Sequence, residues 1–83
     1  NIHPSLLPKY KGLNTHKKVI NNNDEYSGST VHLVSRKLDS GKIILQKKIR
    51  ILKSDTPQKL ANRVLLEENK LYPEAINKII TRI

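Results

Sequence analysis

Leu13, His16 and Ile20 recur at i, i+3 and i+7 just after Gly12. That spacing predicts a short helix, with Asn14 or Thr15 placed to cap it. The polar run Asn21-Asn22-Asn23-Asp24 then reads as a turn. From Ser29 to Val34 the period changes to two, with Thr30, His32 and Val34 on one side and Val31 and Leu33 on the other, which predicts a strand over 29–34. A second strand is predicted over 43–51, where Ile43, Leu45, Ile49 and Ile51 form an apolar side and Gln46, Lys48 and Arg50 a polar one. Lys47 interrupts the apolar side, as expected near a sheet edge. Asp55 or Thr56, with Pro57 in the first turn, opens a second helix whose stripe is Leu60, Ala61, Val64 and Leu65. Pro73 is expected to kink or restart it, after which Tyr72, Ile76, Ile79, Ile80 and Ile83 continue at helical spacing.

The elements therefore read as two helices around a two-stranded hairpin. Two amphipathic helices need a sheet to cover, and the 83 residues contain too little of one. About 60 residues is already marginal for a core of its own, so the chain reads as a fragment or C-terminal subdomain. The absence of cysteine excludes a disulfide framework and a thiolate metal site. No apolar run approaches the roughly 20 residues of a membrane span, and no signal segment opens the chain. A cytoplasmic protein without membrane contact is the expectation.

The net charge of +9 raises the question of nucleic acid. The lysines are dispersed, however, and neither Phe nor Trp supplies a stacking platform among them. Lys, Asn and Ile make up 30 of the 83 residues, and a biased genome composition explains the charge more economically than RNA binding. The positive field still favours anionic substrates.

Candidate chemistry lies in Asn1-Ile2-His3-Pro4-Ser5-Leu6-Leu7-Pro8. In an extended segment Asn1 and His3 point to one side. Asn offers a neutral donor for a developing oxyanion and His a proton near neutral pH, a pairing suited to acyl transfer. The plain alternative is an ordinary surface Asn and His beside a proline turn. His3, His16 and His32 are separated by 13 and 16 residues, which matches no compact zinc motif, so no metal is expected. No Gly-rich phosphate loop occurs.

The opening run continues through Lys9-Tyr10-Lys11-Gly12 and is followed by Gly28-Ser29-Thr30-Val31-His32-Leu33-Val34, Leu38-Asp39-Ser40-Gly41, Ile43-Ile44-Leu45-Gln46 and Leu71-Tyr72-Pro73. Together these motifs closely resemble the C-terminal half of the phosphoribosylglycinamide formyltransferases, the folate-dependent formyl transferases of purine synthesis. The resemblance covers essentially the whole chain. It implies an α/β fold, the C-terminal part of an open, mostly parallel Rossmann-like sheet. Residues 1–83 would be the C-terminal portion of one catalytic domain whose N-terminal, phosphate-binding half lies upstream. Asn1 and His3 would follow the carboxyl end of a parallel strand, where ligands bind in such folds. The segment from Ser35 to Lys42 would be a long, lid-like loop.

The resemblance also implies the chemistry: formyl transfer from 10-formyltetrahydrofolate to the amine of glycinamide ribonucleotide. Asn1, His3 and Asp39 would be the catalytic residues. In an anonymous loop Asp39 would be a solvent-facing turn residue, whereas in the family it meets the histidine and favours the charged ring. Ser35, Arg36, Lys37 and Leu38 correspond to the folate-pterin loop, to which Asn1 and Asp39 add contacts. Glu68 matches a glutamate that binds the ribose of the nucleotide substrate, with an exposed helix carboxylate as its plain alternative. His32, Thr30 and His16 would support the site. At Leu65 many members carry glutamine and at Asn69 histidine, so the ribose contacts depart from the family pattern.

Sister enzymes share the Asn-x-His and Asp pair. Methionyl-tRNA formyltransferase typically follows Ser-Leu-Leu-Pro with Gly-Ala-Ala-Pro-Ile, where this chain has Gly12-Leu13-Asn14-Thr15-His16. Formyltetrahydrofolate deformylase usually reads His-Ser-Phe-Leu-Pro, where this chain has Pro4-Ser5-Leu6-Leu7-Pro8 after its histidine. A different class of alternative is a catalytically silent basic interaction module on the same fold.

Overall fold

The computed structural model describes residues 1–81. Its elements are β1 (Ile2–His3), α1 (Thr15–Asn21), β2 (Tyr26–His32), β3 (Ile43–Arg50) and α2 (Pro57–Ile80). The strands form one sheet in the order β1-β2-β3, with both pairs antiparallel. The expected hairpin thus gains a third, two-residue strand. Ile2 and His3 form a short strand antiparallel to β2, and no parallel pair occurs among the described residues.

β2 begins at Tyr26, earlier than its alternation indicated, and is buried from Ser27 to His32 on both faces. A strand covered on both sides has no need to alternate, so Ser27 and Gly28 carried no periodic signal. Leu33 and Val34, assigned to this strand by pattern, lie beyond it and are exposed. Val31 pairs with Leu45 but His32 pairs with Ile43, which leaves Ile44 as the extra residue of a bulge. That bulge explains why Ile44 and Leu45 both pack on α2, and why Ile43 turns out to solvent instead of joining the apolar side.

Residues directly opposite in an antiparallel pair share a face. Ile2, Val31 and Leu45 therefore lie on one face, against Leu71 and Ala75 of α2. His3, Thr30 and Gln46 lie on the other. That second face is covered by the segment after β1. Leu7 N–H donates to Thr30 Oγ1 (3.1 Å), Thr30 Oγ1 donates to the Ser5 carbonyl (2.7 Å), and Gln46 Nε2 reaches both the Leu7 carbonyl (2.8 Å) and Thr30 Oγ1 (3.0 Å).

α1 forms where predicted, but its buried residues are Thr15 and Val19. Leu13 is outside it and 82% exposed, because the chain does not turn helical until after Asn14, which is left-handed at φ 60°. α2 starts as expected. Thr56 accepts from Lys59 N–H at 3.2 Å and Pro57 fills the first turn. It then continues unbroken to Ile80 with Pro73 inside. A proline removes one helical hydrogen bond, and the core contacts of Leu71 and Ala75 on either side hold the helix through it.

The buried stripe of α2 is Leu60, Val64, Leu71 and Ala75. Leu65, Tyr72, Ile76, Ile79 and Ile80 are exposed. Leu65, Tyr72 and Ile76 each follow a stripe position by one residue, and one residue turns a helix by about 100°. They form a second stripe, not a continuation of the first. Ile83, expected on it, lies outside the described residues. No described helix is long and apolar enough to cross a membrane.

Candidate active site

His3 ends β1 with its side chain on the Thr30 face, and it is buried. Its Nδ1 stands 3.3 Å from Asp39 Oδ2, and its Nε2 stands 2.8 Å from the Tyr10 carbonyl oxygen. Asp39 arrives from the connection between β2 and β3, whose base is closed by Leu33 N–H donating to the Lys42 carbonyl (2.9 Å). It takes the left-handed conformation (φ 49°), which a short polar side chain tolerates. That turn points the carboxylate inward, where Oδ2 also accepts from Gly12 N–H (2.8 Å) and Oδ1 lies 3.8 Å from His32 Nε2. The aspartate is therefore not a solvent-facing turn residue. With a carboxylate on one ring nitrogen of His3 and a carbonyl on the other, both contacts are satisfied together when both nitrogens carry hydrogen.

Asn1 is tied by its backbone to the end of β2. His32 N–H donates to the Asn1 carbonyl, and the Asn1 nitrogen donates to the His32 carbonyl, both at 2.8 Å. One cleft of about 290 Å³ is lined by Asn1, His32, Val34 and the run from Ser35 to Asp39. Ser35, Arg36, Lys37 and Leu38 are exposed along it, and Ser35 Oγ donates to the Lys37 carbonyl (3.0 Å). A second cleft of about 340 Å³ is lined by Asn1, Ile2, Glu68, Asn69, Tyr72 and Pro73. Asn1 thus stands between a cleft that carries Asp39 and one that carries Glu68, while Leu65 lines neither.

Glu68 is not an exposed helix carboxylate. It is half-buried, and burial pushes its carboxyl above the usual range, opposed by nearby His3 and by the Ser29 hydroxyl. His16 is half-buried in a neighbouring cleft of about 540 Å³ that His3, Gly12 and Leu13 also line. Burial, and then the nearby His3, hold the His16 imidazole below its ordinary value. His32 donates from Nδ1 toward the Leu33 carbonyl at 2.9 Å. Its Nε2 has no hydrogen-bond partner among the described residues and faces Asp39.

Three contributors are not legible in the sequence: the Tyr10 carbonyl, the Gly12 N–H and the Ser29 hydroxyl. Two of them are backbone groups, which no side-chain pattern reports. The available signal was the glycine of Lys11-Gly12, where φ is 86° and a side chain would be strained.

The chain matches the family described as formyl transferase over residues 1–76. It is 46% identical over 77 residues to the phosphoribosylglycinamide formyltransferase of Escherichia coli (strain K12), with 93% of this chain and 36% of the relative covered. It is 44% identical over 84 residues to the chloroplastic phosphoribosylglycinamide formyltransferase of Arabidopsis thaliana, covering 95% of this chain and 29% of that protein. The crystal structure of phosphoribosylglycinamide formyltransferase from Anaplasma phagocytophilum superimposes with a TM-score of 0.92 at 41% identity, over 99% of this chain and 40% of that one. The chain spans about a third of the length of these curated relatives. With a family match over nearly its whole length and with His3 and Asp39 meeting across the folded sheet, this chain belongs to the formyl transferase family.

Proposed function

We propose that this chain is the C-terminal portion of a single catalytic domain that transfers a formyl group from 10-formyltetrahydrofolate to the amine of glycinamide ribonucleotide. The contact between His3 Nδ1 and Asp39 Oδ2 carries the proposal, because it joins two distant motifs beside a cleft that Asn1 also lines. The amine attacks the formyl carbon, and negative charge develops on the former carbonyl oxygen. Asn1 and protonated His3 donate hydrogen bonds to that oxygen, His3 through Nδ1 because the Tyr10 carbonyl occupies Nε2, each worth about 100- to 1,000-fold in rate at typical sites of this kind. Asp39 keeps His3 charged and positions a water that relays the amine proton toward the leaving folate nitrogen. No covalent enzyme intermediate is required.

Ser35, Arg36, Lys37 and Leu38 would take the folate from the exposed side of the cleft, with Asn1 and Asp39. Glu68 would accept from the ribose of the nucleotide, and His32, Thr30 and His16 would support the pair. The partner of the exposed α2 stripe is, in this reading, the N-terminal half of the same domain, which would also supply the phosphate site. No metal, nucleic acid or membrane takes part. The cytoplasm is the proposed location, although the Arabidopsis relative is named chloroplastic. The reading is tested by assaying formyl transfer with the protein extended upstream to its natural start and, in parallel, with the 83 residues alone. Activity in the extended protein that Asp39→Asn abolishes supports it. An extended protein that is folded and inactive points to a sister formyl acceptor or to a silent module.

A further inference from the structure

We infer that Tyr10 and Asp24 are positioning residues that fix which nitrogen of His3 is presented to the reacting atoms. The inference rests on the formyl-transfer reading only for what those atoms are. A backbone carbonyl can only accept, so the 2.8 Å contact from the Tyr10 carbonyl requires hydrogen on His3 Nε2. Nδ1 is then the nitrogen left to face Asp39. An imidazole held at one nitrogen alone is free to flip about its last torsion and to exchange tautomers. Two anchors remove that freedom.

The Tyr10 carbonyl points inward because Tyr10 is left-handed (φ 55°), a conformation that a bulky residue keeps only when its surroundings hold it. The hold is visible at the far end of the side chain. Tyr10 Oη donates to Asp24 Oδ2 (2.6 Å) and accepts from Asn22 Nδ2 (3.0 Å), and Lys9 Nζ lies 3.6 Å from the same Asp24 oxygen. Asp24 is itself fastened to the end of α1, its N–H donating to the Val19 carbonyl (3.0 Å). The Tyr10 ring packs against the cluster of Val19, Leu60 and Val64. Two residues on, Gly12 N–H donates to Asp39 Oδ2. The tripeptide Tyr10-Lys11-Gly12 therefore offers an acceptor to His3 and a donor to Asp39, and sets the orientation of one against the other.

The test uses the protein extended to its natural start, labelled with ¹⁵N-histidine. The His3 signals are assigned by their loss in His3→Gln and followed across pH, with steady-state formyl transfer measured alongside. In the unsubstituted protein His3 is expected to keep hydrogen on Nε2 throughout. Tyr10→Phe keeps the ring in its apolar cluster but loses the bond to Asp24, and should give a mixture of His3 tautomers. Its kcat should fall about 10-fold, with KM for both substrates within about twofold. Asp24→Ala should behave alike, and Asp24→Asn, which retains an oxygen for the Tyr10 hydroxyl, should recover most of the loss. Unchanged His3 signals and unchanged kcat in Tyr10→Phe and Asp24→Ala, with only a lower Tm, would overturn the inference. Hydrogen found on Nδ1 alone in the active, unsubstituted protein would overturn it as well. A folded but inactive unsubstituted protein in which His3 is locked, and is released by Tyr10→Phe, would uphold the positioning and reject the formyl-transfer reading.

Discussion

His3 in β1 and Asp39 in the connection between β2 and β3 meet with Nδ1 and Oδ2 3.3 Å apart, both side chains less than a tenth exposed. Neither is placed by its own neighbours in sequence. His3 is held by the pairing of β1 with β2, and Asp39 by a left-handed turn after β2 that directs its carboxylate back under Gly12.

Asp39→Asn in the protein extended to its natural start keeps an oxygen for the Gly12 N–H but removes the charge beside His3. Formyl transfer is expected to fall by about 100- to 10,000-fold, the usual worth of an acid-base group, with Tm shifted by only a few degrees. An activity within a few-fold of the unsubstituted protein would remove Asp39 from the mechanism.

Glu68→Gln should raise stability at neutral pH. The folded carboxyl is pushed up by burial, so between its unfolded value near 4.5 and its higher folded value the native state binds more protons than the unfolded chain. Stability from this group is therefore lost as pH rises through that window, and glutamine abolishes the loss. Thermal melts at pH 4 and pH 7 should show the gain at pH 7 alone. In the assay, the KM for the nucleotide should rise while kcat changes less.

Asp55 closes the start of α2 from within. Its Oδ1 pairs with Arg63 Nη1, its Oδ2 accepts from Leu52 N–H (2.8 Å), and its side chain is 3% exposed. The Arg63 guanidinium holds its carboxyl below the usual range. A depressed folded value contributes stability above the unfolded value, near 3.8, and that contribution is lost as pH falls through the folded one. Asp55→Ala should cost about 1.5–3 kcal/mol at pH 7, the range for hydrogen bonds to charged groups. The difference between the variants should shrink in acid denaturation below about pH 4.

Gly28→Ala tests the cover over the His3 face. A Cβ there would meet the Lys47 carbonyl oxygen and lie 2.6 Å from Leu6 Cδ2. Overpacking of this kind costs about 1–3 kcal/mol. It would lift the segment after β1 that Thr30 and Gln46 hold down, so chemical denaturation should show a lower midpoint.

The 83 residues alone are expected to be poorly folded and inactive. The exposed Leu65, Tyr72, Ile76 and Ile79 are covered by nothing among the described residues. A cooperative thermal transition together with turnover by this chain alone would contradict the expectation.

The sequence specifies the kinds of element and most of their positions, because alternation, helical spacing, Thr56-Pro57 and the polar turn at 21–24 are local signals written in neighbouring residues. It also carried the motifs by which the family is recognised. Tertiary structure alone decided which stripe of α2 is buried, since both Leu60/Val64/Leu71/Ala75 and Leu65/Tyr72/Ile76/Ile79 are apolar at helical spacing and only the sheet selects between them. It also decided that β2 extends back through Ser27 and Gly28, polar or small residues whose burial comes from being covered on both faces. The inward turn of Asp39 and the contacts of the Tyr10 carbonyl and Gly12 N–H depend on backbone groups and left-handed dihedrals. Such features carry no side-chain pattern and form only when distant segments hold them in place.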